Sequence, residues 1–210
     1  DITPILKALD ALLEEPGSDT LTMGAAHMQF YPYMQAPGID VLTAFEFIYN
    51  TAKQCTSVAH QTGRQWILSE LYGGTGWNAS FATYKSIGDW QTALGINLRC
   101  PHLSYYSMAG EAKRDYPASI HFQSPWWRQY AYLENYFSRL HTVLTEGAPI
   151  CDLVVIHPTE SYYAVFNKQW QTNPVIKQMD ADYNELTHWL LGGHLDFDFA
   201  DEHLLTELAW

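Results

Sequence analysis

Glu70 closes the apolar run Trp66-Ile67-Leu68-Ser69 and is followed at once by Leu71-Tyr72-Gly73-Gly74-Thr75-Gly76-Trp77. A carboxylate placed where a buried strand opens into glycine-rich backbone and aromatic rings suits chemistry on a sugar, because strand-end loops carry sites more often than cores do. The same Glu could instead be a cap or a buried structural group in a tight turn. Two more polar groups fall at the ends of strand-like runs. Asp40 lies in Gly38-Ile39-Asp40-Val41-Leu42-Thr43, and His102 follows Ile96-Asn97-Leu98-Arg99-Cys100-Pro101. Glycoside cleavage needs one carboxyl to protonate the leaving oxygen and another to attack the anomeric carbon or activate water. Glu70 fits the second role. Asp40 would bind a sugar hydroxyl or cap the next helix. His102 would bind a hydroxyl, orient Glu70, or be a satisfied structural histidine.

Trp77 and Asn78 would supply a stacking wall and a hydroxyl ligand, although Trp77 reads equally as an apolar lid. Tyr105, in Leu103-Ser104-Tyr105-Tyr106, would help position the sugar. His27 and Tyr31, upstream of Asp40, are further candidates. Glu111 to Pro117 is a mixed-charge loop, read either as solvated surface or as a border of the site. The glycines at 73, 74 and 76 lack the trailing Lys-Ser/Thr of a phosphate loop. No HExxH, GxSxG or Cys/His metal spacing occurs. The three cysteines, Cys55, Cys100 and Cys151, are far apart, and buried free thiols are expected.

Charge and composition narrow the partners. The net charge of −12 argues against a nucleic acid, whose phosphates require clustered Lys and Arg. Eight Trp and 14 Tyr offer flat faces with polar tips, suited to carbohydrate as well as to cores. No apolar run approaches the roughly 18 residues that would cross a bilayer. The expected partner is a carbohydrate substrate, with no nucleic acid and no membrane; oligomeric state and localisation stay open. The chain opens on Asp1 and stops at Trp210 in a helical pattern, so it reads as a piece of a longer protein.

The elements that must position these groups alternate. Helices are expected over Pro4–Leu13, Phe45–Gln61, Phe81–Leu94 and from Pro125 to about Leu144. Strands are expected over Thr20–Met23, Gly38–Thr43, Trp66–Leu71 and Ile96–Cys100. Alternation of strand and helix from Gly38 to Gly147 implies parallel strands covered by helices, and a (β/α)₈ barrel keeps its site at the strand ends. A second unit is expected from about Pro149. Cys151–Pro158 reads as a strand buried on both faces, followed by a helix over Tyr183–Leu191, a strand over Leu195–Phe199 and a helix from Glu202.

Pro37-Gly38-Ile39-Asp40, Ser57-Val58-Ala59, Ser69-Glu70-Leu71-Tyr72-Gly73 with Gly76-Trp77, Asp89-Trp90, Leu94-Gly95-Ile96-Asn97, Pro101-His102 with Tyr105-Tyr106-Ser107, and Pro125-Trp126-Trp127 follow one another in a familiar order. From about Gly24 onward the chain resembles the C-terminal half of the catalytic barrel in large bacterial glycoside hydrolases. The nearest are the α-L-rhamnosidases of glycoside hydrolase family 106 and their uncharacterised relatives; family 42 β-galactosidases are more distant. The resemblance implies an α/β fold: the C-terminal part of a (β/α)₈ TIM barrel over residues 1–148, then over 149–210 the start of a Rossmann-like domain similar to class I glutamine amidotransferases. It implies that Glu70 is a catalytic carboxylate, nucleophile or base; on the reading of the residues themselves, Asp40, Trp77, Asn78, His102 and Tyr105 would bind the substrate. No cofactor is expected, apart from a calcium ion that family 106 suggests and for which the sequence offers no clear ligand set. The alternatives are a β-galactosidase-like retaining enzyme and a non-catalytic carbohydrate-binding barrel.

Overall fold

The computed structural model describes residues 28–41 and 48–207. Contacts divide the chain into two compact units, Met34–Ile150 and a second one containing Cys151–Trp210 together with the stretch ending at Tyr33. Both are mixed α/β units built on parallel strands.

The first unit runs β1 (Gly38–Val41), α1 (Tyr49–Gln61), β2 (Leu68–Leu71), α2 (Phe81–Ala93), β3 (Leu98–Pro101) and α3 (Tyr130–Leu144). Its strands lie in the order β1-β2-β3, all parallel, with Asp40 opposite Glu70 and Glu70 opposite Cys100. Side chains alternate along a strand, and in β2 Ser69 and Leu71 are buried while Leu68 and Glu70 are partly open. Leu71 packs with Tyr72, Tyr84, Ile87, Ile120, Tyr130, Leu133 and Phe137, so α2 and α3 cover that face. Glu70 therefore belongs to the opposite face.

The helices form for local reasons. Ser80 caps α2 by accepting a hydrogen bond from the Thr83 N–H at 3.2 Å. In α1, Ala52, Cys55, Val58 and Ala59 recur at helical spacing and are all fully buried. α2 and α3 approach closely because Gly88 carries no side chain: a Cβ there would lie 2.2 Å from Phe137 Cζ.

Several boundaries differ from those read in the sequence. Pro4–Leu13 and Thr20–Met23 lie outside the described residues, as do positions 42–47, so β1 is described to Val41 and α1 from Tyr49. β3 starts at Leu98 rather than Ile96 because the Asn97 side chain docks on the approach to β2. Its Oδ1 accepts from Ile67 N–H at 2.9 Å and its Nδ2 donates to Gln65 O at 2.8 Å. α3 starts at Tyr130, not directly after Pro125. Trp127 and Gln129 donate to Ser124 and Trp126, three residues back, in turns tighter than an α-helix. Those turns set the Trp126 ring against Phe81 and Tyr84, each at 5.9 Å. Cys100 is exposed, not a buried thiol, because it shares Glu70's open face.

The second unit runs β4 (Val154–His157), α4 (Thr159–Val165), α5 (Pro174–Gly192), β5 (Asp198–Asp201) and α6 (Glu202–Glu207), with β4 and β5 parallel. α5 begins nine residues before the expected Tyr183, with Pro174 in its first turn and the Asn173 side chain accepting from Val175 N–H at 3.0 Å. Lys177, Gln178, Asp180 and Asp182 hide this first half from a hydrophobic pattern. β4 is not buried on both faces: Val154 and Ile156 are exposed while His157 is buried. At the strand ends, Thr159 donates its hydroxyl proton to Asp201 at 2.6 Å, so His157 Nδ1, at 2.7 Å, is the donor to Thr159. Burial lowers the His157 pKa to about 4, which keeps its imidazole neutral. No helix among the described residues is long and apolar enough to cross a membrane.

Gly88→Ala should destabilise the first unit by about 1–3 kcal/mol, since the Phe137 ring that would have to move is itself buried. Denaturant unfolding followed by tryptophan fluorescence measures this, and an unchanged midpoint would refute the close helix approach.

Candidate active site

The parallel register delivers Asp40 and Glu70 to neighbouring positions on the face that α2 and α3 leave free. His102, one residue beyond β3 and two beyond Cys100, joins them: its Nε2 lies 3.9 Å from Glu70 Oε1. The His102 backbone N–H donates to Leu71 O at 2.7 Å, which ties its place to the end of β2. Both side chains remain reachable, Glu70 at 39% exposure and His102 at 19%. Asp40, Glu70 and His102 are thus brought together.

The turn after Glu70 is held from the other face. Tyr72 adopts a left-handed backbone, φ +78°, which is rare for a large side chain and persists only where its surroundings determine it. Its ring folds into the helix-side core, where its hydroxyl donates to Tyr84 O at 3.2 Å and accepts from Arg99 Nη2 at 2.7 Å. Arg99 is buried, lies 3.9 Å above the Phe137 ring and pairs with Glu134 at 3.4 Å. Burial pushes the Tyr72 hydroxyl up to about 12, so it stays protonated. The lone charge of Arg99 within an apolar strand was the sequence signal for this support.

The loops after β2 and β3 are tied to one another. Gly76 N–H donates to Pro117 O at 2.8 Å, and Trp77 Nε1 donates to Lys113 O at 3.1 Å. Gly76 has φ +83°, a conformation that glycine adopts without strain. Tyr105 N–H donates to Ser119 Oγ at 2.9 Å and Ile120 N–H to Leu103 O at 2.8 Å, closing the β3 loop at its base. The Tyr105 hydroxyl is spent on the Asp115 carbonyl. Trp77 and Asn78 are exposed on the β2 loop, with Trp77 bonded to the β3 loop rather than to the carboxylates. Of the upstream candidates, Tyr31 is buried and groups with the second unit, while His27 lies outside the described residues. Sequence reasoning missed Tyr116. Its ring stands edge-on to His102 at 6.0 Å, and its one signal was its place in the mixed-charge loop just before Pro117.

Partial burial, then the nearby Glu70 charge, hold Asp40 above the usual carboxylate range, against a smaller opposite pull from His102. No group of three or more His, Cys, Asp or Glu among the described residues could hold a metal ion.

No family model matches the chain. It is 28% identical over 141 residues to a curated protein of Formosa agariphila named "Putative beta-glucuronidase", a span of 65% of this chain and 12% of that protein. Its structure is similar to that of a rhamnosidase from Novosphingobium sp. PP1Y, with a TM-score of 0.60 and 16% identity over 86% of this chain and 17% of that one. That likeness establishes a shared α/β fold with parallel sheets. The chain therefore spans less than a fifth of the length of either protein.

A carboxyl whose pKa is raised by folding adds stability below its unfolded pKa and loses it as pH climbs through the folded one. Asp40→Asn removes that loss. The variant should gain stability relative to the parent as pH rises from roughly 3 to 7, with little difference at the acid end. Thermal unfolding across that range checks the sign, and a gain that shrinks with pH would contradict the assigned environment of Asp40.

Proposed function

We propose that this chain is part of a glycoside hydrolase that cleaves oligo- or polysaccharides, similar to the α-L-rhamnosidases. The observation that carries the reading is the in-register Asp40–Glu70 pair with His102 beside it, at the exit of a parallel sheet. Glu70 acts as the nucleophile or general base, and its negative charge stabilises an oxocarbenium-like transition state. Asp40 keeps its proton to higher pH than an ordinary carboxyl and presents it to a sugar oxygen. His102, in reach of Glu70, holds that carboxylate or a neighbouring hydroxyl in place. Trp77, Asn78 and Tyr105 shape the rim.

Within this reading, the unit carrying β1, β2 and β3 forms part of a (β/α)₈ barrel. The unit carrying β4 and β5 begins a Rossmann-like domain. Support comes from the alternating parallel β/α order, from the rhamnosidase's fold and from the name of the Formosa agariphila protein.

Glu70→Gln keeps the shape of the side chain and removes its charge. Turnover of aryl α-L-rhamnosides, β-D-galactosides or β-D-glucuronides by the full-length protein should fall by about 10²–10⁴-fold, with the melting temperature preserved. Unchanged turnover would remove Glu70 from catalysis.

A further inference from the structure

Tyr116 combines three features that a surface residue seldom shows together. Its backbone is left-handed, φ +46°, in a residue type that rarely accepts this conformation. Its ring is 52% exposed. That ring also meets His102 edge-on at 6.0 Å, with 67° between the planes, and His102 in turn lies 3.9 Å from Glu70.

The strain is imposed from outside. Three carbonyls around the residue are each tied down: Lys113 O by the Trp77 indole, Asp115 O by the Tyr105 hydroxyl and Pro117 O by the Gly76 amide. Two of these donors come from the loop after β2, the loop that follows Glu70. The strained backbone does nothing for the core, since the ring it carries is half in solvent. Strain maintained by such a set of contacts is typical of a residue held for binding.

We propose that Tyr116 is the platform on which the apolar face of a sugar ring stacks, in the subsite next to Glu70 and His102. This rests on the glycoside hydrolase reading. The C–H face of a pyranose is apolar, and an exposed tyrosine ring with a fixed orientation offers it a large flat contact at little entropic cost. Contact with His102 sets the tilt of the platform relative to the carboxylates, so Tyr116 determines which ring face is turned toward Glu70. The bonds from Trp77 and Tyr105 to this loop give those two residues the role of holding the platform.

The test uses four variants of the full-length protein on an array printed with rhamnose-, galactose- and glucuronate-terminated oligosaccharides. Tyr116→Phe keeps the ring and should bind as the parent does. Tyr116→Ala and Tyr116→Gly should each weaken binding by about tenfold. Tyr116→Gly also relieves the left-handed backbone, so its melting temperature should equal or exceed the parent's. A structural tyrosine would give the reverse pattern, with a lower melting temperature and unchanged affinity in the folded fraction, and that would overturn the proposal. Parent-like binding by Tyr116→Ala would overturn it as well, as would absence of binding by the parent to every printed sugar. Glu70→Gln separates the two readings. If it still hydrolyses while Tyr116→Gly loses binding, the platform stands and the catalytic assignment of Glu70 falls.

Discussion

Parallel pairing of β1 with β2 and of β2 with β3 puts Asp40, Glu70 and Cys100 side by side, and the cluster of Asp40, Glu70 and His102 depends on that register. Side chains alternate along a strand, so a slip of one residue in β2 would send Glu70 into the helix-side core and Ser69 to the open face. Leu71 guards against the slip. It is fully buried among Tyr84, Ile87, Leu133 and Phe137, and moving it to the open face would lose that apolar contact.

The two faces of the sheet work together. On the helix side, Arg99 binds the Tyr72 hydroxyl and pairs with Glu134, which fixes the left-handed turn just after Glu70. On the open side, the loops after β2 and β3 grip each other through Gly76 and Trp77. A carboxylate at the end of a four-residue strand is thereby held from behind and framed in front. In the proposed hydrolase, such preorganisation would position the Glu70 charge.

Much of this was legible in the sequence. Glu70, Asp40 and His102 stood out because each follows or ends a short apolar run, and strand-end residues of successive parallel strands become neighbours. Tyr116 was not legible: its orientation is set by hydrogen bonds from Gly76, Trp77 and Tyr105, between 11 and 40 residues away, which no local pattern encodes. The exposure of Cys100 was misjudged because an apolar run does not say which face a strand leaves open. The first half of α5 was hidden because its polar residues carry little periodicity, whereas its Asn173-Pro174 start was a usable signal. The chain Tyr72–Arg99–Glu134 joins three separate elements, and only the folded molecule assembles it.

Across the β1–β2 pair, Asp40 senses the charge of Glu70. The most direct measurement is a carbon-13 NMR titration of the Asp40 carboxyl in the parent and in Glu70→Gln. With the Glu70 charge removed, the Asp40 midpoint should move down toward the ordinary carboxylate value. A midpoint that does not move would contradict the closeness of the two carboxyls and the proposed sugar chemistry built on it.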